Sequence, residues 1–81
     1  MRIYLLASLA LLATLPAARA DDAADCDAGI AMIRMEQAKE HGRATTESLK
    51  TALRVAEREK GEKEYDECLD AVADARKALK K

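Results

Sequence analysis

Cys26, Cys68, His41, Ser48 and the aspartates Asp66, Asp70 and Asp74 are the residues whose types and spacing invite a chemical reading. The two cysteines stand 42 positions apart, no CxxC occurs, and His41 is the sole histidine, so they carry no zinc signature. They read instead as one intramolecular disulfide. A bridge closing a loop of about 43 residues removes chain entropy worth about 4 kcal/mol, a large share for a small domain.

Catalysis finds little support. His41 stands beside Gly42 at the expected end of a helix, where a cation is electrostatically favoured. Ser48, the only serine after the leader, falls in the first turn of the next helix and reads as part of its cap. Gly29, Gly42 and Gly61 are isolated, so no glycine-rich phosphate loop is present. The chain is expected to be non-enzymatic and to need no cofactor and no metal. Asp66, Asp70 and Asp74 make an i, i+4, i+8 acidic row, matched by the basic row Lys50, Arg54 and Arg58. Both rows lie opposite apolar faces and are expected to meet water, giving charged strips that can steer a partner.

The oxidised cysteine pair implies a compartment. Met1-Arg2 supplies a positive start, Ile3 to Leu15 is an apolar run, Pro16 ends it, and Ala18-Arg19-Ala20 offers a small-x-small cleavage site. The run is too short to span a bilayer of about 30 Å, so residues 1–20 read as a cleaved signal peptide. Residues 21–81 read as a single disulfide-stapled domain with no transmembrane segment after processing. Periplasm and external medium both remain open. Arg2 and Arg19 leave with the leader, taking the 14 bases to 12 against 15 acids and the net charge from −1 to −3. That balance excludes a general nucleic-acid binder. Asn is absent, so N-glycosylation is excluded too.

The elements that position these residues are helices. Ala, Glu, Lys, Arg and Leu dominate and Pro is absent after the leader. Cutting at the glycines gives helices over about Asp22 to His41, Ala44 to Lys60 and Glu62 to Lys81, with Gly42 as a helix-ending residue and Thr45 or Thr46 as the next cap. At 100° per residue the first helix buries Cys26, Ile30, Ile33 and Gln37. The second buries Thr45, Leu49, Ala52, Leu53 and Ala56, and the third Tyr65, Cys68, Leu69, Val72, Ala75 and Leu79.

Whether the chain breaks at Gly61 decides between an up-down-up three-helix bundle and a long helical hairpin. In a hairpin Cys68 would miss Cys26 by seven residues, about 10 Å of helix rise, too far for a bridge. The bundle puts both cysteines near the starts of parallel helices and is the expected fold. Gly61, Tyr65, Cys68, Val72 and Ala75 resemble the second helix of a tetratricopeptide-type helical pair. From Tyr65 onward the steps are three, four and three, whereas the four steps from Gly61 to Tyr65 exceed the motif's. The resemblance covers about a quarter of the chain without a second copy. It implies a helical pair, not membership.

A second apolar stripe remains on the first helix. Ala24, Ala28, Ala31 and Met35 lie opposite the core stripe, with Met32 at its edge. A helix apolar on two faces is a candidate for contact on two faces, and Met supplies adaptable contacts. The expected function is therefore protein binding or self-association in the envelope or outside the cell. The alternatives are a cation- or stress-responsive periplasmic protein using the acidic row, and a secreted effector or inhibitor.

Overall fold

The computed structural model describes residues 21–81; the leader expected over residues 1–20 lies outside the described residues. Helix α1 occupies residues 21–37 of this span, α2 runs Arg43–Gly61 and α3 runs Tyr65–Leu79. The chain is an up-down-up three-helix bundle. The hairpin alternative is set aside, because the chain leaves helical geometry after Gly61 and α3 turns back along α2.

Ion pairs and the staple fix the helix directions. Asp27 meets Lys60 at 2.5 Å and Arg34 pairs with Glu57, so α1 and α2 are antiparallel. Cys26 is bridged to Cys68 across a Cα–Cα distance of 5.9 Å. Three residues on from Cys26, Gly29 abuts Val72, four residues on from Cys68, so α1 and α3 run parallel. Both cysteines are fully buried, as an internal staple requires.

The core follows the predicted faces. Cys26, Ile30 and Ile33 of α1 meet Leu49, Ala52 and Ala56 of α2 and Cys68, Val72 and Ala75 of α3, all buried. Leu53, Tyr65, Leu69 and Leu79 pack around them half-buried. Gln37, the last residue of α1, is exposed, contrary to expectation. Ala71 joins the core unforeseen. With Ala52, Ala56 and Ala75 it gives α2 and α3 small side chains on their facing sides.

The helix ends differ from the glycine-based boundaries. After residue 37 the backbone tightens, Ala38 N–H donating to Met35 O and Lys39 N–H to Glu36 O, at 3.2 and 3.1 Å. Gly42 does not end α1. It caps α2, at φ −63° and ψ 162°, in extended geometry that needs no glycine. Thr45 and Thr46 therefore lie inside the first turn, and neither is the N-cap.

The α2–α3 turn corrects the expectation most. Gly61 is the last residue of α2, but Lys63 carries the left-handed backbone, at φ 61°. Glu64 N–H donates to Glu59 O at 2.9 Å and Lys63 N–H to Lys60 O at 3.0 Å. This paired closure is the Schellman motif, with lysine in the position usually held by glycine.

Candidate functional site

Each pair of neighbouring helices leaves an outer groove, and the three grooves are treated differently. Between α1 and α2 the groove is spanned by Asp27–Lys60 and Arg34–Glu57. Between α1 and α3 the disulfide and the Gly29–Val72 contact draw the backbones together. Between α2 and α3 the groove stays open. Ala52, Val55 and Ala71 form its floor, with Ser48 and Thr51 beside them. Glu47, Glu67, Asp70 and Asp74 edge it, and among the described residues none of these carboxylates makes an ion pair.

The antiparallel pairing of α2 and α3 assembles this rim. Asp70 and Asp74 of the predicted row belong to it; Asp66 does not, lying instead in a separate depression with Asp22, Lys63 and Tyr65. Each four-residue step overshoots a full helical turn by about 40°, so Asp66 and Asp74 diverge by about 80°. Glu67, Asp70 and Asp74, at i, i+3 and i+7, form the tighter face, and that spacing was present in the sequence. Glu47 joins only through tertiary packing. The basic row Lys50, Arg54 and Arg58 is exposed along α2, and its one ion pair among the described residues is Arg58 with its neighbour Glu59, at 3.5 Å.

Across the bundle, the second stripe on α1 divides. Ala24, Ala28 and Ala31 are exposed and Met35 is 67% exposed, whereas Met32 is half-buried and packs against the core. Met32 lies one step from Ile33, close enough to the core edge for its long side chain to reach inward. It therefore sits at the inner edge of the stripe, half covered by the core. Ala31 borders the groove bridged by Arg34 and Glu57.

His41 has a structural position. Its Nε2 lies 3.0 Å from Glu36 O, and because a carbonyl only accepts, Nε2–H is the donor. The same nitrogen lies 3.3 Å from Glu36 Oε1, and Thr46 Oγ1 reaches His41 O at 3.4 Å. The ring thus closes the end of α1, and the backbone carbonyl of His41 ties that end to Thr46 at the start of α2. The hydrogen bond from Lys39 holds the Glu36 carboxyl below its ordinary range; partial burial opposes that shift and His41 adds to it.

Among the described residues, no group of three or more His, Cys, Asp or Glu converges to hold a metal ion. No helix among them is long and apolar enough to cross a membrane. Ser48 and His41 line different parts of the molecule, one on the α2/α3 groove and the other at the α1 terminus. No family model matches this chain, and no curated protein or solved structure is found similar to it, so the tetratricopeptide likeness stands for a helical pair alone.

Proposed function

We propose that this chain is an exported, non-enzymatic protein that works by binding protein, either a second copy of itself or another envelope or extracellular protein. The observation that carries this reading is the α2/α3 groove. Its floor is apolar and its carboxylates make no ion pair among the described residues, so a partner can cover one and neutralise the other. The exposed Ala24, Ala28, Ala31 and Met35 face of α1 is a second surface. Export is supported by the buried disulfide and by the leader-like residues 1–20.

The test combines three measurements on the processed protein. N-terminal sequencing is expected to begin at Asp21. Sedimentation and affinity capture from envelope and medium fractions are expected to show self-association or retention of a defined partner. Retention of Met1 would remove the export argument. A chain that stays monomeric and retains nothing from either fraction would end the binding reading.

A further inference from the structure

We propose that the α2/α3 groove receives a second copy of this chain, with the basic row of one copy lying along the acidic rim of the other. The proposal rests on the binding reading above and names the partner. Lys50, Arg54 and Arg58 span about 12 Å of helix, and Glu67, Asp70 and Asp74 about 10 Å. Glu47 completes the rim, so three cations stand against four carboxylates; all seven residues are exposed, and among the described residues no ion pair links the row to the rim. Within one copy the basic row stays off the groove, since none of Lys50, Arg54 and Arg58 lines it.

A two-fold axis over the groove brings row and rim together. It places α2 of each copy across α3 of its partner, so both basic rows find both acidic rims in one closed contact. Val55, with the methyl groups of Ala52 and Ala71, lies between the charged rows and forms the apolar centre. Alanines make that centre small, so association depends mainly on charge. The dimer is therefore expected to be weak, quick to form and sensitive to salt.

Arg54 and Asp70 are the middle members of their rows, so they oppose each other whichever way the helices run. Sedimentation equilibrium of the processed protein in low salt is expected to show dimer, weakening about tenfold or more in 0.5 M salt as exposed charges are screened. Arg54→Glu alone and Asp70→Lys alone should each weaken self-association by about tenfold or more. Mixing the two variants should restore dimer, because in the mixed pair one interface keeps Arg54 with Asp70 and the other reverses both signs. Circular dichroism reports the fold of each variant, and Arg54→Ala with Asp70→Asn gives milder versions if a reversal unfolds the chain. A monomer at all concentrations overturns the proposal. So does a dimer that ignores these substitutions, or one lost instead on Ala28→Glu with Met35→Lys. If the chain is monomeric yet captures a different protein, this assignment fails while the binding reading survives.

Discussion

Gly29 and Val72 approach more closely than any other residue type at position 29 would allow. A methyl group built on Gly29 would stand 2.6 Å from Val72 Cγ2 and 2.7 Å from Val72 Cγ1. The contact lies one helical turn from the Cys26–Cys68 bridge, so the glycine lets α1 and α3 settle at the separation that the staple spans.

Gly29→Ala sets helix propensity against overpacking. The exchange gains about 1 kcal/mol in an isolated helix, but forcing a methyl into filled space costs about 1–3 kcal/mol. Net destabilisation of about 1 kcal/mol is expected by urea unfolding. Val72→Ala should relieve it, so the double variant should be more stable than the sum of the single changes implies. A Gly29→Ala protein more stable than the parent would show that the close approach is not maintained.

The staple has a larger effect. The oxidised chain should weigh about 2 Da less than the dithiol form, reflecting two lost hydrogens. Replacing both cysteines by serine should remove about 4 kcal/mol. In a domain of this size that corresponds to a fall in Tm of roughly 15–30 °C. Thermal melting with and without reductant checks this. A reducible dimer on a non-reducing gel would place the bridge between chains instead.

Glycine and lysine occupy each other's best positions in the α2–α3 turn. Gly61 ends a helix with open space around it, and Lys63 bears φ 61°. Lys63→Gly should therefore stabilise by about 1 kcal/mol by relieving the left-handed backbone. Gly61→Ala should add a similar amount through helix propensity. Combined, the changes should raise Tm by several degrees. A fall on Lys63→Gly would mean that the turn is not left-handed there.

Glu36 links stability to acid. Its carboxyl is held below the ordinary value of 4.5, first by the hydrogen bond from Lys39 and then by charge and contact from Lys39 and His41. A depressed carboxylate stabilises the fold at pH above the unfolded value, and the contribution is lost as pH falls through the folded value. Glu36→Gln should accordingly lower Tm at pH 7 and converge with the parent as the pH falls below 4.5 and through the lower folded value. Parallel melting curves with no convergence would assign the loss to packing rather than to charge.

Local periodicity and covalent arithmetic made most of the architecture legible. Ile30 and Ile33, Leu49 and Ala52, and Cys68 and Val72 could be placed on buried faces because helix geometry relates their positions without reference to another segment. The single cysteine pair then chose three helices over two, since a hairpin leaves Cys68 about 10 Å from its partner. The relations between helices required the tertiary structure. Sequence spacing alone could not show that Gly29 meets Val72, that Glu47 faces the α3 carboxylates, or that Met32 turns inward while Met35 remains outside. The turn is the clearest case. Glycine favours a left-handed residue by removing a steric penalty, but helix length and the return angle of α3 determine which residue must adopt it, and here they select Lys63.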